Sequence, residues 1–346
     1  MHWTIASPFA HTGDLHEIYW LDSLVPGDRH RFTHIPRSKP LGNWHNQASS
    51  VTSRQEWLIY LQQGKAAVDQ TEGGVITVFP QLASTVGINQ RMARRRIPVV
   101  AWLFNVGTCS LGIRRWLAQV SLKDVDCFIV HTRREREMYS KWLRFPIERF
   151  EFVPYQVPDI PVTYEENTSD PFLAAIGSAH RDFPTLFQAV EKLNLPTVVA
   201  SGPRALTGLT LPSQVKAPIG IGKQECLQLA QEARINIIPL TPNEQVTAAG
   251  QVTLVEAMRM GRAIIASRCL GVEDYIVHGE TGFLVEPQSL DDLVQAIETL
   301  WNDSELRTRL GQNARQYATQ NFSDEAAGIA LGKVLDSVAD TFEKTR

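Results

Sequence analysis

Residues 248–285 read AAGQVTLVEAMRMGRAIIASRCLGVEDYIVHGETGFLV, and the order of apolar and polar runs around them decides the fold. An apolar run at 236–240 is followed by a polar loop at 241–250, a helical pattern at 252–260 and a second apolar run at 262–267. This order predicts strand, loop, helix, strand, the repeating unit of a parallel sheet. In such a sheet the loop leaving a strand's carboxyl end, and the helix start after it, face the ligand crevice. Gly250 and the first helical residues Gln251, Val252 and Thr253 therefore offer backbone N–H groups without intrahelical partners, a site suited to a diphosphate. Glu256 follows about one turn below Thr253, where its two carboxylate oxygens can accept from vicinal hydroxyls. Diphosphate plus ribose implies a nucleotide ligand.

TLVEAM, Gly261, AIIAS and TGFLV together resemble the C-terminal donor site of family 4 glycosyltransferases of the GT-B fold, the glycosyl transferases group 1. In that family two Glu residues are separated by seven positions, and the second binds the donor's ribose, a role the resemblance implies for Glu256. The first contacts the transferred sugar. Its position here (256 − 8 = 248) holds Ala248, so the resemblance either moves the sugar contact to Gln251 or Glu244 or implies a chain lacking part of the catalytic equipment.

With 346 residues, 43% hydrophobic and 21% charged, the chain has room for two soluble domains and no low-complexity tract. A formal charge of −3 does not mark a nucleic-acid binder. No apolar run approaches the ~20 residues that span a bilayer. The N-terminal MHWTIASPFA lacks a basic region and a long apolar stretch, which predicts a first strand and a cytoplasmic location. Cys109, Cys127, Cys226 and Cys269 are far apart with no C-x-x-C, so they read as buried thiols, not a disulfide framework or a structural zinc site. The Asn167, Asn302 and Asn321 sequons matter only in a secreted protein.

Taken in order, residues 2–9 read as the first strand, and HTGDLHE follows at its crevice end, where the family often has a glycine-rich loop. His11, Gly13, Asp14 and His16 are candidates for acceptor contact, or plain polar loop residues. Residues 26–53 are turn-rich around one short strand, RFTHI. A helix over 55–68, the strand VITVFP, a helix over 82–92 and the strand PVVAWLF give a βαβ alternation. After PVVAWLF the family often places a His that touches the transferred sugar, and here stands Asn105, which can bond a hydroxyl but cannot take a proton at neutral pH.

Arg91, Arg94, Arg95 and Arg96, with Arg114 and Arg115 beside Trp102, Leu111, Trp116 and Leu117, read either as a membrane-surface patch or as solvated helix ends. Asp124-Val125-Asp126 precedes the apolar run CFIVH, so it reads as the turn before a strand and not as a metal motif. RREREMYSKWL is a helix, FEFVPY a strand, and the Pro-rich stretch from Pro158 to Pro171 a linker between domains 1–160 and 170–322. FLAAIG then opens the second domain. Gly177, Ser178 and Arg181 match the family's phosphate-holding turn, and a guanidinium suits bidentate phosphate binding; the alternative for Arg181 is a bridge to Asp182 or Glu191. Lys223, after Gly220-Ile221-Gly222, reads as a second phosphate contact or a helix-start surface residue. Helices over 290–303 and 305–319 close the domain, and a last helix within 323–346 returns, by the resemblance, to the first.

The resemblance implies an α/β chain of two Rossmann-like domains facing across a cleft, the first binding an acceptor and the second a nucleotide sugar. It implies retaining transfer to a carbohydrate or lipid-linked acceptor, with Arg181, Asn105 and His11 nearest the chemistry and no essential metal or cofactor beyond the nucleotide sugar. Peripheral contact with the membrane's inner face follows if the arginine patch binds lipid. Two other readings stay open: a nucleotide-sugar-binding partner subunit that no longer transfers, and a GT-B sugar-nucleotide epimerase. An NAD-linked dehydrogenase lacks its fingerprint. Base, sugar, acceptor and oligomeric state are not written in the sequence.

Overall fold

Runs such as Val-Val-Ala-Trp at Val99–Trp102 and Ile-Asn-Ile-Ile at Ile235–Ile238 have no solvent-facing side, and every residue in both is buried. Strands of this kind occur in parallel sheets covered on both faces. The computed structural model describes residues 1–11, 21–37 and 52–344, and the chain divides into two units, Met1–Val153 with Ala327–Arg346, and Pro154–Ala326.

The first unit contains β1 (His2–His11), β2 (Arg31–Arg37), α1 (Arg54–Gln70), β3 (Gly74–Val78), α2 (Pro80–Met92), β4 (Val99–Trp102), α3 (Ile113–Leu122), β5 (Cys127–Val130), α4 (Arg133–Leu143) and β6 (Phe150–Phe152). All pairings are parallel and the sheet order is β2-β1-β3-β4-β5-β6. Side chains alternate along each strand: Val75, Val99 and Phe128 meet the apolar faces of α1, α2 and α4, while Ile76, Val100 and Ile129 meet Leu331 and Leu335. The latter two lie on the final helix, which runs over Asp324–Lys344 and covers that face.

Local chemistry sets the helix starts. Ser53 and Glu56 form a reciprocal capping box at α1, with bonds of 3.2 and 2.6 Å. The arginine run after α2 is mostly engaged within the unit. Arg91 pairs with Asp124 at 2.7 Å, Arg96 with Asp126, and Arg95 donates to the Val68 and Thr71 carbonyls. Asp126 also accepts the Val99 N–H at 2.8 Å, so the D-x-D is the turn that leads into β5.

At α4 the Thr132 hydroxyl accepts the Glu135 N–H at 2.9 Å, and the buried Glu135 carboxylate accepts from the His131 N–H at 3.0 Å and the Tyr139 hydroxyl at 3.1 Å. Burial outweighs these bonds and pushes the carboxyl from 4.5 up to about 7. The native state therefore holds this proton more tightly than the unfolded chain. Its contribution to stability is full below pH 4.5 and is lost as pH rises towards 7, by at most about 3 kcal/mol. Denaturant titrations across this range should show a shallower loss in Glu135→Gln than in the wild type; equal slopes would place the titrating group elsewhere.

The second unit contains β7 (Leu173–Ile176), α5 (Phe183–Leu193), β8 (Thr197–Ala200), β9 (Val215–Lys216), α6 (Lys223–Glu232), β10 (Ile235–Ile238), α7 (Gln251–Arg259), β11 (Ile264–Ser267), β12 (Phe283–Val285), α8 (Leu290–Asn302) and α9 (Ser304–Asn321), with the last helix, α10 (Asp324–Lys344), following. The order is β12-β11-β10-β7-β8-β9, again all parallel. Counted from β7 this is the doubly wound 3-2-1-4-5-6 order, whose direction of winding reverses between β7 and β10. Residues before β7 are fastened to this unit: Arg259 pairs with Asp159 at 3.1 Å, and Arg234 with Glu166 at 2.7 Å.

Candidate active site

Where winding reverses, the loops after β7 and β10 diverge to opposite faces and leave an opening at the carboxyl ends. The chain after β7 turns at Gly177, φ +106°, and at His180, φ +55°. This turn folds Arg181 back on its own strand. The guanidinium donates to the Ile176 carbonyl at 2.9 Å, to the Ala179 carbonyl at 3.1 Å and to the Thr253 hydroxyl at 3.4 Å. A β-carbon at residue 177 would stand 2.4 Å from Arg181 Nη2, so glycine is needed for the backbone angle and for the room. Loss of solvation brings the Arg181 pKa down to about 10, which leaves it charged at neutral pH.

Neighbouring loops are tied to this turn. The Asp182 N–H donates to the Pro239 carbonyl at 3.0 Å and the Thr241 N–H to the His180 carbonyl at 2.9 Å, joining it to the exit of β10. Ser178 Oγ accepts the Gly202 N–H at 2.7 Å, joining it to the exit of β8. Gly250, φ +95°, caps α7 without a side-chain bond, so the helix begins with its first N–H groups open. A β-carbon on Gly250 would press on Ile238 and Leu240 at 3.1 and 3.3 Å. Gly177, Ser178, Arg181, Gly250, Val252, Thr253 and Glu256 thus converge on one end of one sheet.

Glu256 has an ion-pair partner that sequence reasoning did not assign: Lys223, at the first position of α6, holds its Oε1. The carboxylate is only 14% exposed and the ammonium 59%. The pair borders a cavity of about 410 Å³ that Ile160, Tyr164 and Gln228 also line. The available signal was the Gly222–Glu225 helix start, where the Gly222 N–H donates to the Glu225 carboxylate at 2.7 Å and Lys223 opens α6. Glu244 stands exposed in the loop after β10.

Gln251, a candidate for the sugar contact, has its side chain drawn inward. Its amide N–H donates to the Leu270 carbonyl at 2.8 Å in a residue that is buried overall, which pins the loop after β11 to the helix start. In the first unit, Asn105 is exposed beyond β4 and its Oδ1 accepts the Gly107 N–H at 2.7 Å, which leaves the amide donor to offer. His11 ends β1, where only its backbone is described, and Gly13, Asp14 and His16 lie outside the described residues.

Residues 211–317 match the family described as glycosyl transferases group 1. The capsular polysaccharide biosynthesis glycosyltransferase CapM of Staphylococcus aureus is 33% identical over 90 residues, 26% of this chain and 23% of that protein, so the match spans less than a quarter of the relative's length. Among solved structures, sucrose-phosphate synthase from Thermosynechococcus elongatus superposes with a TM-score of 0.70 at 18% identity, over 99% of this chain and 100% of the other. HepE from Anabaena, solved in complex with UDP-glucose, gives 0.66 at 16% identity over 99% and 100%. At such identity these likenesses are of fold. The chain has the GT-B fold, and the stretch that matches the glycosyl transferases group 1 lies within its second unit.

The dependence of Arg181 on a bare α-carbon yields a coupling test. Gly177→Ala should weaken nucleoside diphosphate binding by about 1.5 to 3 kcal/mol, as loss of a charged hydrogen bond does, and adding it to Arg181→Ala should cost little more. Titration calorimetry on the two single variants and the double variant decides this; additive losses would show that Gly177 acts apart from Arg181.

Proposed function

We propose that the protein is a glycosyltransferase that takes a sugar from a nucleotide-diphosphate donor and passes it, with retention and without an essential metal, to a carbohydrate or lipid-linked acceptor. The observation that carries this reading is the meeting of Arg181, the uncapped start of α7 and Glu256 at the reversal point of the second sheet. Arg181 and the N–H groups of residues 251–253 lie where a diphosphate accumulates charge as its bond to the sugar's anomeric carbon breaks. Donors fixed before the reaction act most strongly on such developing charge. Glu256, held by Lys223, presents its second oxygen to ribose. The acceptor hydroxyl forms the new bond to the anomeric carbon on the face the diphosphate leaves, and its proton passes to the departing phosphate oxygen. HepE, solved with UDP-glucose, is the fold relative that favours a uridine donor among the bases.

A second reading, a nucleotide-sugar-binding subunit that does not transfer, is favoured by Ala248 and by the buried amide of Gln251, which leave the α7 start without the family's sugar-contacting carboxylate. Both readings require Glu256. In titration calorimetry with UDP, GDP and ADP, one should bind the wild type and bind Glu256→Ala roughly 10- to 100-fold more weakly. Unchanged affinity in a folded variant would remove Glu256 from the site. Sugar transfer or donor hydrolysis by the wild type in EDTA then separates transferase from binding subunit.

The acceptor side carries a surface consistent with lipid. Along α3, Ile113, Trp116, Leu117 and Val120 fall on one helical face, and all four are exposed, at 68, 56, 53 and 37%. Arg114 flanks them, whereas Arg91 and Arg96, which the sequence placed in the same patch, are held in ion pairs. No described helix is long and apolar enough to cross a membrane. We read α3 as the element that lies on an anionic bilayer. The wild type should sediment with phosphatidylglycerol vesicles at low salt, and Trp116→Ser with Leu117→Ser should not; a wild type that stays in the supernatant would reject this contact.

A further inference from the structure

Arg37 ends β2 with 2% of its surface exposed, in register with His11 at the carboxyl end of β1. The two strands lose their regular register between Ala6 and His11, and the Gln63 amide of α1 fills part of the gap, donating to the Ser7 carbonyl at 2.9 Å and the Ile35 carbonyl at 2.8 Å. Arg37 Nε and Nη1 are buried without a hydrogen-bond partner among the described residues. Nη2 is not closed off in this way.

The other buried arginines among the described residues, Arg259 and Arg307, each leave Nε unpartnered, but their terminal nitrogens are answered. Arg259 has Asp159 at 3.1 Å and Thr319 at 2.9 Å, and Arg307 has Glu166 at 3.3 Å and the Leu300 carbonyl at 2.8 Å. The groups that act electrostatically on Arg37 are Tyr60 and Glu56 of α1, and the Glu56 carboxylate is already engaged by the Ser53 N–H. A buried guanidinium without its hydrogen bonds is costly, and retaining one calls for a use.

We propose that Arg37 is an anion subsite at the carboxyl end of the first sheet, receiving a phosphate or carboxylate group carried by the acceptor. The proposal rests on the reading of the first unit as the acceptor domain. Ligands of open parallel sheets bind outside the carboxyl ends of the strands, where Arg37 lies, and a charged guanidinium N–H donates strongly to an oxygen of either anion. The acceptor would then be an acidic saccharide or a phosphorylated polyol or lipid headgroup, and neutral sugars would be poor acceptors.

The test uses the full chain as wild type, Arg37→Met, Arg37→Lys and Arg181→Met, melted with inorganic phosphate at ionic strength matched by sodium chloride. Without anion, Arg37→Met should melt higher than the wild type, because an unanswered charge is replaced by an apolar side chain of similar length. Its phosphate-dependent rise should fall by half or more, and Arg37→Lys should keep part of it. Arg181→Met should remove only the complementary share, together with nucleoside diphosphate binding. If Arg181→Met leaves nucleoside diphosphate binding intact, the donor reading fails while the Arg37 result stands. Glucose 6-phosphate and glucuronate then identify the anion: a rise with either that Arg37→Met abolishes supports the subsite and names its source. An Arg37→Met protein that melts lower than the wild type and keeps its full response to phosphate would show a structural arginine and overturn the proposal.

Discussion

A guanidinium can lie flat against its own strand only where the backbone offers no side chain, and Arg181 lies so against Gly177. The contact requires a left-handed turn directly after β7, and that turn carries the Asp182 and His180 backbone bonds that join the exits of β7 and β10. Arg181 also donates to the Thr253 hydroxyl in the first turn of α7. An arginine, an open helix start and a carboxylate one turn further on therefore meet at the point where the sheet reverses its winding.

The consequence is a site with fixed electrostatics. Positive character comes from Arg181 and the first turn of α7, and the carboxylate of Glu256 is held by Lys223 to one side. In the proposed reading the departures from the group 1 pattern fall where the resemblance puts the sugar, and not where it puts the diphosphate or ribose. Ala248 brings no carboxylate, Gln251 turns its amide inward, and Asn105 can donate but not exchange a proton at neutral pH.

Much of this was legible in the sequence because buried parallel strands are continuous apolar runs, as in PVVAWLF and the run at 236–240. The motif from TLVEAM to TGFLV placed Glu256 at a helix start before any coordinate was known. What could not be read has physical causes. β9 is only Val215–Lys216, too short for a period, and α6 mixes Gln, Glu and Cys along its length, which blurs its apolar stripe. The direction of the Gln251 amide depends on the Leu270 carbonyl, nineteen residues away, and the Lys223–Glu256 pair spans 33 residues; neither distance leaves a local signature. The outward apolar face of α3 was blurred because Leu and Trp beside Arg are common to core edges and to lipid-facing helices alike.

The central claim is that the start of α7 and the turn after β7 together receive the donor's diphosphate. Amide hydrogen exchange in the presence of a saturating nucleoside diphosphate tests it most directly, since N–H groups that donate to phosphate exchange more slowly. Protection should appear at residues 251–253 and 177–182, and Arg181→Ala should reduce it at both. Ligand binding with unchanged exchange at these amides, or with protection confined to the first unit, would contradict the account.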